Sequence, residues 1–81
     1  MFYTVYILRC SDKTLYTGIT TDLQRRLHEH NNSDKGAKYT KLRRPVEVVY
    51  SEDLENRSLA SKREYEIKKL SREKKLELIG A

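Results

Sequence analysis

Apolar and polar positions change rhythm several times along this chain, and each change marks an element. Residues Phe2 to Arg9 are rich in β-branched and aromatic types, which suit a pleated, half-buried surface. Ser11-Asp12-Lys13-Thr14 is turn chemistry, so Leu15 to Thr20 is predicted as the returning strand of a hairpin. Leu23 and Leu27 then fall at i and i+4, and Thr20, Thr21 and Asp22 can each accept from free amides at a helix start. A helix is predicted from about Asp22 to His30. Asn31-Asn32-Ser33-Asp34-Lys35-Gly36 has no apolar period and reads as a loop that continues to Arg44. Pro45 closes it, and Val46-Glu47-Val48-Val49-Tyr50 is the third strand. From about Arg57 the spacing turns helical through Leu70, with Asn56 or Ser58 as the cap, and Ser71 caps a short last helix ending before Gly80.

The order is strand, strand, helix, strand, helix, helix. The hairpin must be antiparallel, and a sheet of three strands needs helices over it to bury its apolar surface. The expected fold is therefore a small α+β domain, a three-stranded antiparallel sheet flanked by helices in the order β-β-α-β-α-α. The 81 residues suffice for one core and not two, so residues 1–81 form a single domain.

Composition narrows the function classes. Hydrophobic residues make up 37% of the chain and charged ones 36%, which permits a small core under a heavy polar load. Lys plus Arg number 17 against 12 Asp plus Glu, and the net charge of +5 either draws a polyanionic partner at long range or solvates the surface. Cys10 is the sole cysteine, so no intramolecular disulfide forms, no zinc-finger spacing exists, and a reducing cytoplasm is the expected compartment. No apolar run nears the roughly 20 residues needed to span a bilayer, and the first residues lack the basic leader of a signal peptide. No membrane partner is expected.

Four features point to chemistry. Alternation places Phe2, Thr4, Tyr6 and Leu8 on one face of the first strand and Tyr16, Gly18 and Thr20 on one face of the second, so Tyr6 and Tyr16 can stand side by side. Singly, each tyrosine suits core packing as well as catalysis. Gly18 inside a strand suggests a bulge, a strand end or the close approach of another group. Leu23, Arg26, Leu27 and His30 share a helix face at i, i+3, i+4 and i+7, so a guanidinium and an imidazole border the buried stripe. Arg26 could equally snorkel to solvent, and His30 could simply favour a helix end. Ala60, Glu64 and Ile67 put a carboxylate on the apolar stripe of a later helix, where it needs a cation, donors or a metal; a structural salt bridge is the plainer alternative.

Together these residues resemble the GIY-YIG nuclease domain, across nearly the whole chain. Thr4-Val5-Tyr6 stands in place of Gly-Ile-Tyr, and Tyr16-Thr17-Gly18 in place of Tyr-Ile-Gly about ten residues on. Arg26 and, one turn later, His30 match the helix arginine and histidine of the family, and Glu64 matches its metal-binding glutamate. Gly36-Ala37-Lys38-Tyr39-Thr40 with Arg43-Arg44-Pro45 is similar to the small stand-alone bacterial members, of which Tyr39 and Thr40 are characteristic. Each triplet is weak alone; the ordered set is specific. Thr4 departs from the first glycine, and no asparagine follows Glu64 where many active members carry one.

The resemblance implies a metal-dependent endonuclease hydrolysing phosphodiester bonds of nucleic acid, DNA being the expected polymer and repair or recombination the expected setting. Tyr6, Tyr16, Arg26, His30 and Glu64 are its catalytic candidates. Glu64 would bind one Mg²⁺ or Mn²⁺, Arg26 would hold the scissile phosphate, and Tyr16, held by Tyr6, or else His30 would handle the attacking water. Lys38, Tyr39, Thr40, Lys41, Arg43 and Arg44 are the nucleic-acid-binding candidates. Alternatives on the same scaffold are a nucleic-acid-binding module without cleavage and a protein-interaction module whose partner supplies specificity.

Overall fold

Strand β1 (Tyr3–Arg9) lies between β2 (Leu15–Thr20) and β3 (Glu47–Leu54), and both pairings are antiparallel. The structure, a computed structural model, describes residues 2–80. A strand paired on both edges and covered on both faces has no solvent-facing side chains in its middle, and Val5, Tyr6, Ile7 and Leu8 are each 1% exposed or less. Four consecutive buried residues break simple alternation because each face has its own helix layer. Val5 and Ile7 meet Ala60 and Ile67 of α3 (Arg57–Lys68), with Leu78 and Ile79 from α4 (Arg72–Ile79) packed around them. Tyr6 and Leu8 face the other way, toward Tyr16 and toward Leu23 and Leu27 of α1 (Leu23–Asn32). Burying each of these aliphatic side chains contributes roughly 1.5–3 kcal/mol.

The β1–β3 register shifts between Ile7, opposite Tyr50, and Leu8, opposite Val48. Val49 is the extra residue of this bulge, and it changes which face β3 serves. Val48 joins the Tyr6 face, whereas Val49 and Tyr50 both pack on the Val5 face. Beyond Tyr50 the strand runs on to Leu54, longer than its sequence predicts. Ser51, Glu52 and Asp53 are poor strand formers, but each pairs with β1, and Thr4 Oγ1 donates to Asp53 Oδ1 at 2.7 Å.

The predicted helices form with side-chain caps. Asp22 accepts from the amide of Arg25, Asn56 from Leu59 and Ser71 from Lys74, so Asn56 rather than Ser58 starts α3. The predicted loop differs from expectation in two respects: α1 continues through Asn31 and Asn32, and a four-residue helix, α2 (Lys38–Lys41), forms within it. This short helix exists because the segment is stitched to α1. A Cβ on Gly36 would stand 2.6 Å from the Glu29 carbonyl oxygen, a backbone approach that only glycine permits. Asn31 exchanges two hydrogen bonds with the backbone of Val46, at 2.8 and 3.0 Å. Arg44 donates to the carbonyl oxygens of His30 and Ser33 at 2.6 Å and of Glu29 at 3.3 Å, filling acceptors that the end of α1 leaves open.

Arg44→Met keeps the aliphatic stem and removes these donors. It is expected to destabilise the domain by about 1–3 kcal/mol in urea denaturation; an unmoved midpoint would show that the α1 end does not depend on this cap.

Candidate active site

Register sets the site. Tyr6 lies opposite Gly18 and Leu8 opposite Tyr16, so the two tyrosines share the face that α1 covers. A Cβ on Gly18 would sit 2.5 Å from the Tyr6 hydroxyl and 2.7 Å from its Cζ. Of the readings open for this glycine, close approach is the one realised: the phenol lies flat across the space that a side chain would fill.

That phenol reaches α1. Tyr6 Oη is 2.9 Å from His30 Nε2, and His30 Nδ1 is 2.9 Å from Thr40 Oγ1. Thr40 has one hydroxyl proton, which it donates to the Ala37 carbonyl at 2.9 Å, so it must accept from His30 Nδ1–H. His30 Nε2 is then the acceptor, and Tyr6 donates to it. A longer contact from the Ala37 amide to Nδ1, 3.4 Å, favours the opposite tautomer, but the two 2.9 Å bonds through Thr40 outweigh it. His30 and Thr40 are fully buried, and no buried side-chain N or O among the described residues lacks a partner.

Burial keeps this chain of groups uncharged. It lowers the His30 pKa to about 4, with Arg26 and Arg44 adding to the shift and Glu29 opposing it. It raises the Tyr6 pKa to about 12 despite the hydrogen-bonding influence of Arg26, and Tyr16 and Glu64 push the same way. Glu64 lies on α3, which covers the opposite face of the sheet and packs across β1 and β2.

Arg26 and Glu64 are more open to solvent than Tyr6 and His30. Arg26 Nη1 bonds Glu29 Oε1 at 2.9 Å and the Lys35 carbonyl at 2.8 Å, and its side chain stays 27% exposed. Burial works against its charge, but Glu29 and Tyr6 more than offset that and hold it ionised. Glu64 sits between the buried Ala60 and Ile67, 23% exposed, with Lys68 Nζ at 3.2 Å. The pair is the salt bridge that the sequence left open for Glu64. An i,i+4 pair whose lysine is largely solvated is worth a few tenths of a kcal/mol, so a stronger cation could replace Lys68. Among the described residues no group of three or more His, Cys, Asp or Glu side chains could enclose a metal. The donor set fits only a hard ion that keeps most of its water and takes phosphate oxygens, as Mg²⁺ does.

Tyr16 joins the two layers. Its ring meets His30 edge-on at 5.3 Å between centroids and stacks on Tyr39 at 5.9 Å. The Arg43 guanidinium covers the Tyr39 ring at 3.9 Å and bonds Asp12 Oδ2 at 3.1 Å. The tyrosine expected to hold Tyr16 does not hydrogen-bond to it; Tyr6 bonds His30 instead. Of the six basic-loop residues, Lys38, Tyr39 and Lys41 are exposed and Arg43 is half-buried, whereas Thr40 is buried against His30 and Arg44 is occupied with α1. Nothing in an aperiodic loop signals which hydroxyl or guanidinium turns inward, so the structural service of Thr40 and Arg44 was not legible. A cavity of about 310 Å³ near Cys10 and Val46 includes none of the five catalytic candidates.

A three-stranded antiparallel sheet between two helix layers, with Tyr6 and Tyr16 both meeting His30 on one face, defines a small α+β domain. The model of the GIY-YIG catalytic domain matches residues 2–77, and the chain belongs to that family, which lies within a superfamily of nucleases. A UPF0213 protein of Desulfotalea psychrophila is 60% identical over 77 residues, covering 95% of this chain and 70% of that protein. One of Staphylococcus saprophyticus is 56% identical over 76 residues, 94% of this chain and 92% of that one. Solution NMR structures of a UPF0213 protein from Bacillus halodurans and of a protein from E. faecalis match 99% of this chain and 84% of theirs. Their TM-scores are 0.63 and 0.69, at 46% and 45% identity. No helix among the described residues is long and apolar enough to cross a membrane.

Burial of neutral His30 has a pH signature. The unfolded histidine protonates near 6.5 and the folded one near 4, so the unfolded state binds more protons between those values. Stability is full above about pH 6.5 and falls as pH drops toward 4, by up to about 3 kcal/mol. Thermal melts from pH 7 to 4.5 are expected to show this decline in the wild type and to lose most of it in His30→Asn.

Proposed function

We propose that this chain is an endonuclease that hydrolyses phosphodiester bonds of nucleic acid, most simply DNA, with Mg²⁺ or Mn²⁺ at Glu64. The observation that carries the reading is the hydrogen-bonded chain Tyr6–His30–Thr40 packed against Tyr16, with Arg26 on the same helix as His30. A satisfied, neutral polar network in a small core is an expensive way to fill space and an effective way to fix a neighbouring ring.

The roles divide by access. Tyr6 and His30 are buried, and both His30 nitrogens are engaged, so neither reaches a substrate; they position Tyr16. Tyr16, half-buried at the edge strand, orients the attacking water. Arg26 donates from Nη1 to Glu29 and the Lys35 carbonyl and also acts on the Tyr6 hydroxyl; its remaining donors would take a phosphate oxygen, where charge grows as water adds to phosphorus. Glu64 would hold the divalent ion, which would supply Lewis-acid stabilisation of the charge on the leaving group. Lys38, Lys41, Arg43 and the Tyr39 ring extend the contact along the backbone of the nucleic acid.

A second reading has its own observation. Lys68 neutralises Glu64, and among the described residues no group of three or more His, Cys, Asp or Glu side chains could hold a metal, which suits a module that binds nucleic acid without turnover.

A nicking assay on supercoiled, single-stranded and branched DNA separates the two. Wild type with Mg²⁺ or Mn²⁺ is expected to cleave, and Glu64→Ala to lose at least about 100-fold in rate. Equal cleavage by both proteins would remove the metal role, and salt-dependent binding without cleavage by wild type would favour the second reading. Arg26→Lys is expected to remain nearly as impaired as Arg26→Ala in the same assay, because a point charge lacks the fork geometry; rescue by lysine would reduce Arg26 to simple charge neutralisation.

A further inference from the structure

Leu42 is the most exposed large apolar side chain among the described residues, at 87%. A lone surface leucine is ordinary; the way this one is held is not. It caps the C-terminal end of α2, with its own amide directed at the Thr40 carbonyl. The residue after it is pinned on every side. The Arg43 amide donates to the Thr40 carbonyl at 3.0 Å, and the Arg43 carbonyl accepts from the Ser11 amide at 2.9 Å. The Arg43 guanidinium bonds Asp12 and the Tyr39 carbonyl while lying over the Tyr39 ring. Leu42 is thus an apolar tip on a braced turn, two residues from Thr40 in the buried network, with the exposed cations Lys38 and Lys41 beside it.

We propose that Leu42 is a wedge that enters a base step of duplex nucleic acid next to the scissile phosphate, while Lys38 and Lys41 hold the flanking backbone. The inference rests on the nucleic-acid reading above and deepens it. Apolar side chains that part stacked bases sit on rigid supports among cations that grip the phosphates, because the backbone contacts must offset the lost stacking. Here the support is tied through Tyr39 to Tyr16 and the buried His30, so a parted step would be delivered beside Tyr16. The substrate class this favours is a duplex with an easily opened step: a mismatch, bulge or junction, where less stacking has to be undone.

The test uses the full chain and duplex DNA with 2-aminopurine at its centre, whose emission rises when the base unstacks. Binding is followed in EDTA, and cleavage separately with Mg²⁺ or Mn²⁺. Wild type is expected to raise the emission; Leu42→Ala is expected to bind with the same salt slope and melting temperature but without that rise, and Leu42→Phe to restore it. Cleavage of intact duplex should fall about tenfold in Leu42→Ala, while a duplex already bulged at that step is cut at an unchanged rate. Equal emission from wild type and Leu42→Ala, or no rise with wild type, overturns the wedge. A Leu42-dependent rise without cleavage by any variant leaves the wedge standing and removes the nuclease reading; cleavage without that rise does the reverse.

Discussion

The hydrogen bond between Tyr6 and His30 is the tie on which the rest of the arrangement depends. It joins the central strand to the end of α1 between buried side chains, where an amide or hydroxyl without a partner would cost about 1–3 kcal/mol. For it to form, β2 must leave space above Gly18, α1 must end where His30 faces inward, and the 37–40 segment must fold back so that Thr40 takes the other imidazole nitrogen. Each requirement is met by a different part of the chain. Gly36 allows the segment to lie on the α1 backbone, and Arg44 and Asn31 fasten it there.

This tie also separates two kinds of electrostatics. Inside, burial holds His30 and Tyr6 neutral around pH 7, so they can serve as fixed dipoles and not as charges. Outside, Arg26 and Glu64 are partly solvated; Arg26 donates to Glu29 and the Lys35 carbonyl, and Glu64 is paired only with the largely solvated Lys68. Tyr16 stands at the border, touching His30 with one edge and Tyr39 with its face. The domain is too small to enclose a substrate, and a rim of this kind, extended by the Tyr39–Arg43 stack and the Leu42 tip, is the form of site that a long polyanion can reach.

Much of this was legible along the chain. Strand and helix periods gave the order of elements and the two faces of β1, because burying apolar area is the dominant local constraint and it repeats at 2 and 3.6 residues. The five catalytic candidates each stood out by pattern: two tyrosines able to stand side by side across the hairpin, an arginine and a histidine beside leucines, and a glutamate between Ala60 and Ile67. The reach of β3 to Leu54 was not legible, since Ser51, Glu52 and Asp53 extend only because β1 is there to pair with them.

What the sequence determined by itself, then, is the identity of the chemical groups and the face of the element that carries each. Only the tertiary structure decided their partners: that Tyr6 bonds His30 and not Tyr16, that Thr40 supports the imidazole, that Arg44 closes a helix, and that Glu64 is held by Lys68. The reason is that periodicity is a property of neighbours three or four residues apart, whereas these contacts, Glu64–Lys68 excepted, join residues 10 to 24 positions apart. Their geometry is set by how the 33–46 segment folds over α1, and no local pattern encodes that path.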